Sequence, residues 1–342
     1  MKVSIIIPVF NVSEYIERCI KSVMNQTYSD IECIIVDDAT PDDSIEKCER
    51  LIAEYSGPIK FSMQHHQENR GLSAARNTGT AAATGEYIYY LDSDDNISED
   101  CIEKLMKPVE LDNSIDMVQG NHVMLWNGQQ LVFYNGNSPI SLQNKDVLEH
   151  CLKKHNIFGS AWNKLIRRSF LEEYHIYFKE GLVFEDLLWF FYVQKYIDKI
   201  YICKDVTYYY YERPNSIITS GNKIVHGNSY QTIYNDILLH LTSGKESKEL
   251  NGYVLCFSKA YCEYCDLVPA FRDTYRLYQK NARKYGCWKV LVCLCAIGVI
   301  RKLGNSKGVL RRINIIRWKF IEWYDCKILG HKDEGVNCNC ML

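Results

Sequence analysis

The chain has 342 residues, 47% of them hydrophobic and 24% charged, with a formal net charge of -2. That length predicts one large α/β domain with a smaller appendage, and the hydrophobic fraction is enough for a real core. The near-balanced charge argues against a protein built to grip nucleic acid.

In chain order, residues 3–9 are an almost continuous apolar run ending at Pro8, Val9, Phe10 and Asn11, the pattern of a strand buried on both faces. The chain enters this strand with no cleavable signal pattern ahead of it. Ser13 is expected to open a helix with Ile16, Ile20, Val23 and Met24 on one face. A second strand over 31–36 ends in Asp37 and Asp38, followed by a helix over 44–55 and a third strand over 59–63. After Asn69, Arg70 and Gly71 a third helix runs over 73–83, and a fourth strand over 87–91 leads into Asp92, Ser93, Asp94, Asp95 and Asn96. Strands alternating with helices predict a parallel sheet covered on both faces, with ligands at the strands' carboxyl ends. Asp38, Asn69, Arg76 and the aspartate loop all fall at that end.

Carboxylates crowded into one turn repel one another unless a cation joins them, and Mg2+ or Mn2+ takes carboxylate and phosphate oxygens together. An acidic solvated turn is the plainer alternative. No G-x-G-x-x-G follows the first strand and no G-x-x-x-x-G-K-[ST] occurs anywhere, which weakens dinucleotide and P-loop readings. A nucleoside diphosphate carried by a single cation fits.

Further on, residues 117–133 read as two strands turning at Asn127 and Gly128, and 144–154 as a helix. Ser169 and Glu172 have the capping-box spacing, and Glu185 and Asp186 start an apolar helix. Trp162, Trp189 and Tyr208 to Tyr211 have the chemistry to stack on sugars, with core packing the stronger expectation; His155, His175 and His226 read as ordinary loop or surface residues. From residue 221 the pattern turns helical, over 232–241 and 250–278, with a break at Pro269. Residues 288–300 are apolar but shorter than the roughly 20 residues that span a bilayer. The basic and aromatic residues that follow, among them Arg311, Arg312, Arg317 and Trp318, suit either a solvated helical face or a surface resting on anionic lipid. The 15 cysteines are scattered without zinc-finger spacing, which predicts reduced and mostly buried thiols.

The run from Val3 to Asn11, Val36-Asp37-Asp38, the block from Glu68 to Gly79 and Leu91-Asp92-Ser93-Asp94-Asp95 together resemble the successive signatures of family 2 glycosyltransferases of the GT-A fold. The resemblance continues less sharply through Trp162-Asn163-Lys164, Glu185-Asp186 and Tyr208 to Arg213. It implies an α/β fold with a mostly parallel central sheet over residues 1–220 and a helical region over 221–342. It further implies a metal-dependent enzyme of the hexosyltransferase type, at work in bacterial polysaccharide or glycan synthesis. Pro8, Phe10, Asp38, Asn69, Arg76, Asp92 and Ser93 would line the nucleotide-sugar site. Phe10 would pack against a uracil base and Asp38 would accept its ring N–H. Asp92-Ser93-Asp94 resembles the D-x-D motif, with Asp94 and Asp92 as the ligands of Mn2+ or Mg2+.

The acceptor hydroxyl needs a carboxylate to take its proton, and the E-D motif of the family maps onto Glu185 and Asp186, with Asp186 as the base. Direct displacement by one base inverts the anomeric centre. The processive relatives carry Q-x-x-R-W and several membrane spans; here Asn314 stands where the glutamine would precede Arg317 and Trp318. The expectation is therefore a single sugar passed from a UDP-sugar to a glycan or lipid-linked acceptor, in the cytoplasm or at the inner membrane face. A nucleotide-sugar-binding scaffold without chemistry is the alternative.

Overall fold

The computed structural model describes residues 1–126, 129–132, 139–143, 157–212, 222–240, 260, 264 and 266–284. The chain divides into two compact units, Met1–Val147 with Gly159–Ser220, and Leu148–Phe158 with Gly221–Leu342.

The first unit is built on strands β1 (Val3–Val9), β2 (Ile31–Asp37), β3 (Lys60–His65), β4 (Tyr87–Tyr90), β5 (Asn96–Ile97), β6 (Met117–Trp126), β7 (Gln129–Val132), β8 (Ile140–Gln143), β9 (Lys164–Arg167) and β10 (Lys199–Tyr211). Its helices are α1 (Ile16–Met24), α2 (Ser44–Glu54), α3 (Leu72–Ala82), α4 (Cys101–Leu111), α5 (Arg168–Glu173) and α6 (Glu185–Tyr196). All ten strands join one sheet in the order β3-β2-β1-β4-β9-β6-β10-β5, with β7 beside β6 and β8 beside β10. β1 pairs in parallel with β2 and β4, β2 with β3, and β6 with β10. β9 is inserted antiparallel between β4 and β6.

Alternation along β1 sends its residues to two helical layers. Val3, Ile5, Ile7 and Val9 join a core with Ile16, Cys19, Ile20 and Val23 of α1 and Ile102, Leu105 and Met106 of α4. Each fully buried aliphatic side chain there contributes roughly 1.5–3 kcal/mol. Ile6 faces the other way, toward α3, where Gly79 lets helix and strand close up; a Cβ at Gly79 would stand 2.3 Å from Ile6 Cγ2. Pro8 sits inside β1 without harm because the ladder to β4 ends at Ile6–Tyr90, so no partner waits for the missing N–H.

Two local expectations are corrected. Ser13 does not open α1, which begins at Ile16; its N–H is held by Asp42 Oδ2 at 2.8 Å and its hydroxyl by Asp43. The helix expected at Ser169 is present as α5 and starts one residue earlier, but Ser169 does not cap it, and Arg168 Nη1 draws Glu172 Oε1 to 2.5 Å. The sheet is mixed with a parallel β3-β2-β1-β4 half, and β9, a strand of four residues too short to announce its direction, runs antiparallel within it.

In the second unit, α7 (Lys223–His240) and α8 (Phe271–Lys284) pack together, and Thr274 Oγ1 donates to Asn235 Oδ1 at 2.7 Å. α8 begins two residues after Pro269, the expected break. His226 is buried on α7, whereas His175 is exposed on a loop. The described cysteines, Cys19, Cys33, Cys48, Cys101 and Cys203, are buried and free, and burial raises each thiol above its usual range. The expected helix over 144–154, His155, Arg213, most of the helix over 250–278, the apolar stretch over 288–300 and the basic tail lie outside the described residues. Among the described residues no helix is long and apolar enough to cross a membrane.

Candidate active site

The parallel strands β1, β2 and β4 end side by side, and the loops leaving them carry Phe10, Asp38 and the segment Asp92–Asp95. Phe10 is 43% exposed at the tip of β1, a free aromatic surface at the sheet's carboxyl edge. Asn11 and Ala39, which follow the ends of β1 and β2, both take positive φ, so these turns are sharper than L-residues prefer.

Asp38 is buried and already engaged. Its Oδ1 accepts from Arg70 N at 2.8 Å and meets His66 Nδ1 at 2.6 Å, while Oδ2 accepts from Gly71 N at 2.7 Å. His66 Nε2 in turn meets Thr78 Oγ1 on α3 at 2.9 Å. The carboxylate therefore holds the start of α3, where negative charge also suits the helix dipole. Gly71 makes this approach with φ of 87°, a conformation that would strain a side chain. Asn69 is exposed beside it, its Nδ2 at 3.4 Å from the Asp38 carbonyl.

Arg76 is the junction of the site. It is 1% exposed on α3; Nη2 donates to Asp92 Oδ1 at 2.8 Å and Nη1 to Glu185 Oε1 at 2.6 Å. Its guanidinium also lies 5.2 Å from the centroid of the Phe178 ring. Desolvation disfavours its charge, but Asp92 and Glu185 outweigh that and hold it protonated. Burial pushes the Glu185 carboxyl up to about 7, with Arg76 opposing and Asp186 adding. Asp186 is raised for the same first reason, desolvation, again opposed by Arg76, while the Asp92 charge adds to the rise. The aspartate loop and the acidic pair of α6 thus share one electrostatic neighbourhood.

The acidic pair is held from behind. Asn77 Nδ2 donates to the Phe178 carbonyl at 2.8 Å and its Oδ1 accepts Phe178 N at 2.9 Å, while Ser73 Oγ donates to the Lys179 carbonyl at 2.9 Å. Phe178 stacks on Trp189 at 5.1 Å, and Tyr90 meets both rings edge-on. Trp189 is accordingly core, not a sugar platform. Phe184, immediately before Glu185, has φ of 61°, a left-handed residue that turns the chain into α6. Ser73 and Asn77 lie inside the Glu68–Gly79 block but had no role assigned from the sequence, nor had Phe178, although Ser73 and Asn77 stand one helical turn apart on the face that carries Arg76.

In the aspartate loop, Ser93 and Asp95 are buried while Asp92 and Asp94 are partly exposed. Trp162 stacks on Tyr208 at 4.6 Å and Tyr210 at 5.8 Å, a partly buried aromatic stack beside the end of β4. Lys164 is fully buried, donating to the Ser160 carbonyl at 2.6 Å, and its charge reaches Asp186. Among the described residues no three His, Cys, Asp or Glu side chains are gathered around a common centre.

The glycosyl transferase family 2 model matches residues 4–175, half of the chain. Among curated proteins, the uncharacterized glycosyltransferase EpsJ of Bacillus subtilis is 34% identical over 219 residues, 63% of this chain and 62% of EpsJ. A cholesterol galactosyltransferase of Borreliella burgdorferi is 31% identical, covering 64% of this chain and 62% of that protein. Glycosyltransferase GlyA of Streptococcus pneumoniae is 32% identical over 180 residues, a quarter of its own length. The chain thus spans less than two thirds of each of these relatives. Among solved structures, residues 1–349 of Staphylococcus aureus TarS, in complex with UDP-GlcNAc, superpose with a TM-score of 0.67 at 19% identity, covering 98% of this chain and 93% of that one. A mannosyltransferase of Pyrobaculum calidifontis, in complex with GDP-Man and Mn2+, gives 0.56 at 14%, covering 96% and 87%. The mixed sheet flanked by helices is the GT-A fold of such neighbours, and the chain belongs to glycosyl transferase family 2.

Proposed function

We propose that the chain transfers a single sugar, with inversion, from a UDP-sugar to a hydroxyl of a glycan or lipid-linked acceptor. The observation that carries the reading is the Arg76 bridge. One buried cation binds the first aspartate of the D-x-D loop and the first acid of the E-D pair, so a donor held at the one is beside a base at the other.

In this reading Phe10 packs on the base, Asn69 and Pro8 line the nucleotide, and Asp38 shapes the base pocket through the Arg70–Gly71 turn. Asp38 has three protein partners already, so a uracil N–H would share the lone pair that remains. Asp92 and Asp94, with Ser93 between them, suit Mn2+ or Mg2+: two carboxylates make no protein cage, and hard cations in such sites complete their shell with substrate phosphates and water. When bound, that cation neutralises the charge that develops on the departing diphosphate.

Asp186 is the base. Its raised affinity for protons suits it to take the acceptor hydroxyl's proton as the oxygen attacks the anomeric carbon from the side opposite the diphosphate. Glu185, held by Arg76, does not compete for that role. Trp162 offers a ring face for the acceptor sugar.

The test is a panel of UDP-sugars incubated with Mn2+ and candidate glycan acceptors, read as UDP release; the UDP-GlcNAc complex of the TarS neighbour sets the first donor to try. Release that depends on metal and on one donor is expected. Metal-dependent thermal stabilisation by UDP without turnover of any donor, including slow hydrolysis, would instead identify a binding scaffold.

A further inference from the structure

The aspartate loop is tied down from its far side by residues that the proposed chemistry does not use. Asp95 is 1% exposed; its Oδ2 accepts from Tyr208 OH at 2.6 Å and its Oδ1 from Tyr211 N at 2.9 Å. Arg18 Nη2, from α1, donates to the Asp94 carbonyl, and its guanidinium lies 3.5 Å from the centroid of the Tyr211 ring. Asp95 N closes the turn onto the Asp92 carbonyl at 3.1 Å. Immediately afterwards β5 pairs antiparallel with β10, Asn96 beside Tyr209 and Ile97 beside Tyr208. The turn that presents Asp92 and Asp94 is therefore clamped between α1 and the end of β10, and the ring of Tyr208 is the one on which Trp162 stacks.

A buried carboxylate placed one residue from Asp94 and three from Asp92 is costly, since like charges in a desolvated turn repel. A purely structural anchor for a turn would be cheaper as Asn or Ser. Such an anchor makes sense where a cation and its ligand geometry must be set to a fraction of an ångström, and partners on a rigid strand set it.

We propose that Asp95, Tyr208 and Arg18 are positioning residues that preset the Asp92–Asp94 pair for its cation and link the metal loop to the Trp162 stack through the Tyr208 ring. The proposal rests on the reading of Asp92 and Asp94 as the metal-nucleotide site. Its consequence is a division of labour along β10: the Tyr208 hydroxyl serves the donor side and its ring serves the acceptor side.

Tyr208→Phe deletes the hydroxyl and keeps the ring, so it separates the two roles where Asp95→Ala would endanger folding. The full chain would be titrated calorimetrically with UDP in the presence of increasing Mn2+, as wild type, Tyr208→Phe, Arg18→Lys and, in parallel, Asp94→Asn. Loss of one buried hydrogen bond to the loop predicts a roughly tenfold rise in the Mn2+ concentration needed for half-maximal UDP binding by Tyr208→Phe. Its KM for acceptor should stay within about twofold of wild type, since the ring remains. Arg18→Lys should shift the same metal requirement in the same direction. An unchanged metal requirement in Tyr208→Phe, with only the melting temperature lowered, overturns the inference, provided Asp94→Asn has lost metal-dependent binding. If Asp94→Asn binds UDP and Mn2+ as wild type does, or if wild type shows no metal-dependent UDP binding, the reading of the site itself is wrong and the inference falls with it.

Discussion

Arg76 Nη1 lies 2.6 Å from Glu185 Oε1, joining two residues 109 positions apart in the chain. The same guanidinium reaches Asp92 Oδ1 at 2.8 Å; the Glu185 contact is buried beside Phe178, while Asp92 stays partly exposed. A planar group with several donors in fixed directions can make both bonds at once; an ammonium cannot match that geometry.

Arg76→Lys should therefore fold but work poorly. Its single charged centre serves Asp92 or Glu185, not both, and kcat should fall by roughly 10- to 100-fold as Asp186 loses its fixed frame. Arg76→Met should be worse for stability, by about 3–5 kcal/mol, because it leaves Glu185 buried without its partner. Denaturant unfolding alongside steady-state kinetics checks both. Wild-type kcat in Arg76→Lys would remove the bridge from the mechanism.

Asp186→Asn should retain UDP affinity in Mn2+ and lose transfer by about a hundredfold or more, the usual scale of a general base. Glu185→Gln separates the two acids: it keeps a hydrogen-bonding group for Arg76 and should retain more activity than Asp186→Asn. Single-turnover rates for the two variants decide between them. The opposite order would make Glu185 the base.

Glu32 should contribute to acid stability at the opposite end of the sheet. Lys2 Nζ, Ser4 Oγ and Thr84 N each approach its carboxylate to 2.6 Å. Partial burial alone would raise its affinity for protons, but these donors win and hold it near pH 2, below the ordinary 4.5. A carboxylate lowered by folding contributes stability that is present above the unfolded value and is lost as pH falls through the folded one. Glu32→Gln should thus cost on the order of 1 kcal/mol at neutral pH, a figure discounted for solvent screening. The gap to wild type should close between pH 4.5 and about 2. Melting curves across that range test it, and a gap independent of pH would place the effect in packing.

With excess donor, products should carry one added sugar per acceptor. Mass spectrometry reads this directly, and a ladder of many additions beside unreacted acceptor would show processive synthesis.

The elements of the first hundred residues were legible because β1, β2 and β4 are buried on both faces and the amphipathic helices repeat at helical period, local patterns that one sequence displays. For the same reason Asp38, Asn69, Arg76 and the aspartate loop could be assigned to one edge of the sheet: in a parallel sheet, every strand's carboxyl end lies on that edge. Partners were not legible. Arg76 reads the same whether it pairs on a helix surface or is buried between Asp92 and Glu185, because local pattern says nothing of what a distant segment brings. Asp38 looked like a free acceptor until the Arg70–Gly71 turn closed on it. Ser169 had capping spacing and was outbid by Arg168 for Glu172. The reversed strand β9 depends on pairing with β4 and β6, and the clamp on Asp95 depends on β10 arriving more than a hundred residues later. Periodicity and motif order determined the sheet and the edge that holds the site; which side chains meet there, and which are buried with which charge, was decided only when non-local strands and helices closed around them and excluded water.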